Sequence, residues 1–478
     1  MRELLLRSTS DGPQYRSLAD ALRQALETGQ VRPGDLLPST RELAASWGVH
    51  RHTVMTALDE LVAEGWLVAE RGRGYRVVGE LPTAFTRVAP ISDKSSETYQ
   101  WVVSAPPLDA KPRPSLRWSF PSGQPDLRLF PKDEYFAEVR TVLRTVSPDM
   151  LLGYQAPGGC DEIVEALALY LRRVRGVTGG EVVVTHGSQE AIYLLARLLV
   201  KPGQTVCVEA LGYPPALAAL RTAGAKLVGV PIDSEGLRTD VLETALARER
   251  VALIYLTPLH QYPTTVTMSM ARRADLYRLA QKYDVPILED DYDHEFHYRS
   301  RPVPPLKSRD PDGRIAYVST FSKILYPAAR LGFAVVPPGV AEPLRAMKRI
   351  VSRQNDTVTE RAVAAWLSHG GLERHLRRMR RVYAHRLSVM ADALEAAHVP
   401  FTRPDGGMSL WVDFGVPSVQ LSQAAAALDV HIQDSRFYRV DGKDSTSVRI
   451  GFASSTPEEI AAGVDRLVRA SVKSAARR

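Results

Sequence analysis

The stretch STFSKILYPAARLGF, residues 319–333, sets Lys323 among small and apolar neighbours, with Thr320 and Ser322 before it and Arg330 seven residues after it. A lysine in apolar surroundings loses its proton readily and becomes an amine nucleophile toward carbonyls. Hydroxyls and an arginine beside it are the donors an anion requires. Three further segments belong with it. VVVTHGSQEAI runs from a strand through Gly187 into a helix beginning near Ser188, and free backbone N–H groups of the 187–189 loop, with the Ser188 hydroxyl, make an anion site. ALGYPPAL places Tyr213 just after a strand, where its ring offers a face to something planar. ILEDDYDHEF ends a strand with Glu289, Asp290 and Asp291, then Tyr292. No His or Cys cluster of metal-ligand spacing accompanies these acids, which argues against a metal centre.

The first two of these further segments alone have ordinary structural explanations, a capped helix and a core or turn tyrosine. Together all four segments suit one ligand. A phosphate takes the 187–189 loop, Thr320, Ser322 and Arg330. A pyridinium nitrogen takes the carboxylate of Asp290, an aromatic ring takes Tyr213, and an aldehyde takes Lys323. That ligand is pyridoxal 5′-phosphate, and the chemistry is Schiff-base formation with the ring as electron sink.

These residues need a scaffold that brings strand ends together. From about residue 118 the chain alternates strand-like runs (EVVVTHG, TVCVEA, AKLVGVPI, VALIYLTP, PILEDDY, IAYVSTFS) with helical stretches such as 188–200, 214–222 and 270–283. The alternation predicts an α/β domain with a mostly parallel sheet covered by helices, and a smaller C-terminal α+β part. Ligands in such folds bind beyond the carboxyl ends of the strands.

The first 80 residues follow another plan. Residues 17–28 carry Leu18, Ala21, Leu22, Ala25 and Leu26 at helical spacing, and GQVRPGDLLPST breaks the pattern. Ser39 and Glu42 form a capping box before a short helix, Gly48 makes a left-handed turn, and a second helix begins near His50. GWLVAERGRGYRVV then predicts a hairpin with Arg71 and Arg73 at its tip. A helix-turn-helix followed by a wing points to DNA, with Ser39, Thr40 and Arg41 at one helix start, Arg51, His52 and Thr53 at the next, and Arg71 and Arg73 on the wing as the contact set.

Length fits two or more domains, and composition fits a soluble globular protein. The chain has 478 residues, 45% hydrophobic and 24% charged. No run of about 18 apolar residues predicts a membrane span, and the opening MRELLLRSTSDG is too short in apolar residues for a secretory signal, so a cytoplasmic protein is expected. Cys160 and Cys207 read as buried thiols. The net charge is +7, yet residues 1–80 carry 10 basic against 11 acidic residues, so the excess lies in the larger part. One basic run there, RHLRRMRRVYAHR (374–386), reads as a solvated helix face or as a path for bent DNA. The expected division is 1–78 winged helix, 79–117 a Pro- and Ser-rich linker in which Tyr99 and Trp101 could dock, and 118–472 the α/β domain.

LPSTRELAASWGVHRHTVMTALDELVAEGWLVAERGRGYRV resembles the winged helix-turn-helix domain of GntR-type regulators. FPSGQPDLRLFP, LLGYQAPGG, TPLHQYPTT, EDDYDHEFHY, TFSKILYPAARLGF and VRIGFAS resemble fold-type I aminotransferases. The pairing is similar to the MocR/GabR subfamily, which joins the two. The resemblance implies a pyridoxal-phosphate-dependent transcription regulator that senses an amino compound or the cofactor itself; the alternative is an aminotransferase with a DNA-binding appendage, and at most weak side transamination is expected. It implies that Lys323 forms the internal aldimine and Asp290 holds the pyridine nitrogen. Tyr292 and Tyr262 bond the phenolic oxygen, and Ser188, Gln189, Thr320, Ser322 and Arg330 hold the phosphate. Tyr154 reaches the partner subunit's site, and Arg449 binds an effector carboxylate. A homodimer with head-to-tail swapped winged helices on operator DNA is implied as well. Several departures stand out: Tyr262 replaces the Asn of an Asn-Pro-x-Gly motif, YPTT replaces YPTG, no arginine follows YPP (213–215), and His297 replaces an arginine. Asp161 and Glu162 stand where Leu-Arg is usual.

Overall fold

The computed structural model describes residues 14–80, 116–298 and 303–476. The reading of the chain start and most of the 79–117 linker, with Tyr99 and Trp101, lies outside the described residues. The chain divides into two units, residues 1–103 and 104–478.

In the first unit, helix α1 (Gln14–Glu27) begins earlier than its apolar spacing indicates, because Tyr15 already packs on the core. Leu18, Leu22 and Leu26 of α1 bury against Leu43 of α2 (Thr40–Trp47) and Val54, Leu58 and Leu61 of α3 (Arg51–Ala63). The predicted capping box is present: Ser39 Oγ accepts from the Glu42 N–H, and the Glu42 carboxylate accepts from the Ser39 N–H at 2.8 Å. Gly48 closes α2 at φ +69°. His50 precedes α3 without a side-chain cap bond. Strands β1 (Leu67–Glu70) and β2 (Gly74–Val77) pair antiparallel as the wing.

The second unit is built on a seven-stranded sheet. Its strands are β3 (Glu181–Thr185), β4 (Thr205–Glu209), β5 (Lys226–Val230), β6 (Val251–Leu256), β7 (Ile287–Asp291), β8 (Ile315–Thr320) and β9 (Gly332–Val336), in the order β3-β9-β8-β7-β6-β4-β5. All neighbours are parallel except β9, which runs antiparallel to both β3 and β8. Alternate residues feed opposite faces: Leu253 and Tyr255 pack with helix α4 (Gly187–Leu199), Ile254 and Leu256 with helix α6 (Met270–Lys282). Both faces are covered, which is why these strands read as near-continuous apolar runs. Helix α5 (Pro214–Thr222) follows β4. The six strands and three helices expected from the sequence are all present. β9 went unanticipated, since GFAVV reads as a continuation of the Lys323 segment.

That missed strand matters for the site. Because β9 is antiparallel, its first residue, Gly332, lies beside Thr185 and Thr320, the last residues of β3 and β8. Arg330, just ahead of β9, is thereby delivered to the carboxyl edge of the sheet. A smaller C-terminal part carries the antiparallel pair β10 (Ser409–Asp413) and β11 (Ser447–Gly451), packed with the long helix α7 (Gly371–Ala396) in one core. Cys160 and Cys207 are buried free thiols. No described helix is long and apolar enough to cross a membrane.

Candidate cofactor, effector and DNA sites

A cavity of about 340 Å³ opens at the carboxyl edge of the sheet. Ser188, Gln189, Tyr213, Tyr262, Asp290, Tyr292, Thr320, Ser322, Lys323 and Arg330 all line it. The sequence left out Ser122, Gly123, Pro215, Pro327 and Phe437, which complete the wall. Gly123 lies in FPSGQPDLRLFP and stands so close to Lys323 that a Cβ there would meet Nζ at 3.4 Å. Phe437 carries no sequence signal; it comes from a short turn far along the chain.

The anion end is built from three elements. Gly187 starts α4 at φ +76°, and Arg330 lies across it with Nη2 donating to the His186 carbonyl at 2.7 Å. A Cβ on Gly187 would come within 3.1 Å of that guanidinium, and one on Gly332 within 2.6 Å of Gly187 itself. The two glycines therefore let β9, Arg330 and the α4 start crowd together. Thr320 Oγ1 donates to Ser322 Oγ at 3.0 Å and accepts from the Ser322 N–H at 3.1 Å. Gln189 donates to the Pro215 carbonyl at 2.8 Å.

At the opposite end, Asp290 is buried. Tyr255 donates to its Oδ2 at 2.9 Å, while Oδ1 has no hydrogen-bond partner. Burial pushes the Asp290 carboxyl up to about 7, with Asp291 adding to the rise and Tyr255 and Lys323 opposing it. A carboxylate that lines the cavity and keeps one oxygen without a partner is the fitting counterpart of a protonated ring nitrogen, so the residues present fit pyridoxal phosphate. Asp291 goes the other way. Burial raises it, but His294, Arg175 and Tyr317 outweigh burial and hold it below the usual carboxylate range. His294 lies 2.9 Å and Tyr317 2.7 Å from its Oδ2. Glu289 accepts the Leu306 and Lys307 N–H groups at 2.8 and 2.9 Å and is structural. The three acids that look alike in sequence thus have three jobs, because successive strand residues face opposite sides and the last one ends the strand. Among the described residues no group of His, Cys, Asp and Glu could hold a metal.

Tyr154 and Arg449 do not line this cavity. Tyr154 is 80% exposed, with Arg353 over its ring at 4.3 Å. Arg449, on β11, is fully buried behind Tyr262. The YPTT turn keeps a left-handed backbone, with Thr265 at φ +65°. His297 is half-buried, and Asp161 and Glu162 occupy the first turn of the helix Asp161–Tyr170.

In the first unit Ser39, Arg41, Arg51, His52, Arg71 and Arg73 are exposed, and Thr40 and Thr53 are half-buried. Ser39 is spent on its cap, and Thr40 Oγ1 accepts from Arg51 Nε at 3.0 Å. The exposed cations of this set lie at the α2 start, the α3 start and the wing tip.

Residues 14–77 match the bacterial regulatory proteins of the gntR family, and residues 131–467 match the class I and II aminotransferases. The chain is 34% identical to the probable rhizopine catabolism regulatory protein MocR of Rhizobium meliloti, over 97% of this chain and 95% of that protein. The chain belongs to the MocR/GabR-type regulators of the GntR family. It is likewise similar to the HTH-type transcriptional regulator TauR of Rhodobacter capsulatus, at 31% identity over 96% of each. A pyridoxine biosynthesis regulator, PdxR of Corynebacterium glutamicum, is 32% identical over 79% of this chain and 78% of its own. Among solved structures, the second unit is similar to a multiple substrate aminotransferase of Thermococcus profundus, with TM-score 0.73, 29% identity and coverage of 76% of this chain and 93% of that one. The α-aminoadipate aminotransferase LysN of Thermus thermophilus, solved with N-(5′-phosphopyridoxyl)-L-leucine, gives TM-score 0.71 at 30% identity over 76% of this chain and 93% of that one. Pyridoxal 5′-phosphate is the cofactor of this family fold, and in this MocR/GabR-type chain Lys323, Asp290 and Arg330 line one cavity. Relatives matched along the whole chain are regulators, which favours the regulator over the enzyme with an appendage.

Proposed function

We propose that this regulator senses an amino compound, or pyridoxal phosphate itself, at the Lys323 cavity, and that occupancy changes how its winged helices engage operator DNA. The observation that carries the reading is the meeting of Lys323, the partnerless Asp290 oxygen and the Gly187–Arg330 cradle in one cavity. When bound, the cofactor supplies an aldehyde that condenses with amines and a ring that accepts electron density. Lys323 would hold the aldehyde carbon and yield that place to an incoming amine. Asp290 would keep a proton on the ring nitrogen, Tyr213 would cover the ring, and Tyr292 with Tyr262 would face the phenolic oxygen. Ser188, Gln189, Thr320, Ser322 and Arg330 would hold the phosphate. A carboxylated effector would meet Arg449 once that side chain is uncovered.

The working form is a cytoplasmic homodimer, with each winged helix set on the other subunit's core. Leu152, Tyr154 and Ile350 are about four-fifths exposed, which supports a partner surface there, and Tyr154 would reach the partner's cavity. A ligand shifts such an assembly only through different affinities for its two states. The test is the absorption spectrum of full-length protein loaded with pyridoxal phosphate. A visible band present in the wild type and lost in Lys323→Ala supports the reading, and its perturbation by an amine identifies an effector class. A wild-type protein that takes up no cofactor overturns it.

A further inference from the structure

Arg449 is a buried cation beside the cavity's aromatic wall, and two of its N–H groups are already engaged. Nη1 donates to the Pro263 carbonyl at 2.7 Å, and Nη2 donates to the Tyr292 hydroxyl at 3.3 Å. Its Cζ lies 4.4 Å from the centre of the Tyr262 ring. Carboxylates bind arginine best through two parallel N–H···O bonds along one edge of the guanidinium. Each terminal nitrogen spends one of its two N–H groups in this way and Nε has no hydrogen-bond partner, so what separates the guanidinium from a carboxylate in the cavity is the Tyr262 ring, which lines the cavity while Arg449 does not.

Tyr262 is firmly seated. Its N–H donates to Thr257 Oγ1 at 2.8 Å, and the Thr257 hydroxyl donates to the buried Glu209 carboxylate at 2.8 Å. Its ring meets Tyr213, Tyr438 and Tyr292 edge-on at 5.2, 5.7 and 5.9 Å between centroids. A side chain the size of asparagine would leave the guanidinium face open. We infer that Tyr262 is a specificity-determining residue: its ring screens Arg449, so the cavity selects primary amines that carry no carboxylate next to the amine. The remaining wall, with its tyrosine rings and Phe437, suits an alkyl or cyclic amine. The inference rests on the Lys323 reading proposed above and narrows its effector class.

The test uses two reagents with the same reactive nitrogen, O-methylhydroxylamine and aminooxyacetate, of which only the second has a carboxylate. Full-length protein loaded with pyridoxal phosphate is mixed with each, and decay of the visible band gives a rate constant, divided by that for free pyridoxal phosphate. The wild type should prefer O-methylhydroxylamine by about tenfold or more. Tyr262→Asn and Tyr262→Leu should both bring the ratio toward unity, and Tyr262→Phe should keep it. A wild-type ratio at or below unity, or a preference that survives loss of the ring in a cofactor-loaded variant, overturns the inference. Absence of the band in the wild type is a separate result: it removes the Lys323 reading, and this inference with it.

Discussion

The guanidinium of Arg330 lies across Gly187, its Nη2 held 2.7 Å from the His186 carbonyl. Two segments 143 residues apart in sequence thus meet at the α4 start. The contact exists only because residue 187 has no side chain and can hold φ +76°.

Gly187→Ala should therefore act on cofactor binding first. The added methyl meets Arg330 at 3.1 Å and the backbone must stay left-handed, a strain of about 1 kcal/mol. Equilibrium dialysis of pyridoxal phosphate should show affinity reduced by roughly tenfold or more, with little change in secondary structure by circular dichroism.

Three buried carboxyls should make stability of the cofactor-free protein fall as pH rises from about 4 to 8, against a smaller opposite contribution below about 6.5 from His375, which burial lowers to about 4. Burial raises Asp290, Glu209 and Glu289 to about 7, so the folded state holds protons that the unfolded state has released. For a carboxyl with a raised folded value, stability is fully present at low pH and is lost as pH climbs through the gap. Burial lowers His260, but Asp293, 2.7 Å away, more than restores it, and a raised histidine contributes in the same direction. Asp290→Asn removes one of these ionisations. Thermal melts should show it more stable than wild type by about 1–3 kcal/mol at pH 8, with the difference shrinking toward pH 5. The same variant should bind pyridoxal phosphate less tightly.

Thr265 sits at φ +65°, where a β-branched side chain is strained. Thr265→Gly should raise the melting stability of the full chain by about 1 kcal/mol, since its N–H can still donate to the Gln261 carbonyl. A loss of stability instead would mean that the bond from the Thr265 hydroxyl to the Thr264 carbonyl outweighs the strain.

On DNA, Arg71→Ala with Arg73→Ala should weaken operator binding by about tenfold and flatten its salt dependence by about two ions. Fluorescence anisotropy at several salt concentrations measures both. In α7, Arg374, Arg377, Arg378 and Arg381 are exposed, whereas Arg386 is buried on Asp126 at 2.8 Å. The basic run is thus partly a solvated face and partly a core ion pair. If the exposed part guides bent DNA, Arg377→Glu with Arg381→Glu should weaken a full operator more than a single half-site; equal losses would make it only a solvated face.

The sequence alone determined the local features that depend on near neighbours. The Ser39 capping box, the Gly48 turn, the wing with Arg71 and Arg73, and the six apolar runs that became parallel strands are properties of short segments, set by backbone preference and burial period. The chemical types at the site were equally legible, because an amine, an acid, hydroxyls and an arginine announce their chemistry wherever they stand. Tertiary structure decided the rest. Only the antiparallel β9 showed how Arg330 reaches Gly187, and only strand alternation separated Asp290, with one oxygen left without a partner, from Asp291, hydrogen-bonded to His294 and Tyr317, and from Glu289, spent on a loop. Only packing showed that Arg449 lies behind Tyr262 with both terminal nitrogens engaged. Those relations join residues tens to hundreds of positions apart, and no local pattern encodes which of them will touch.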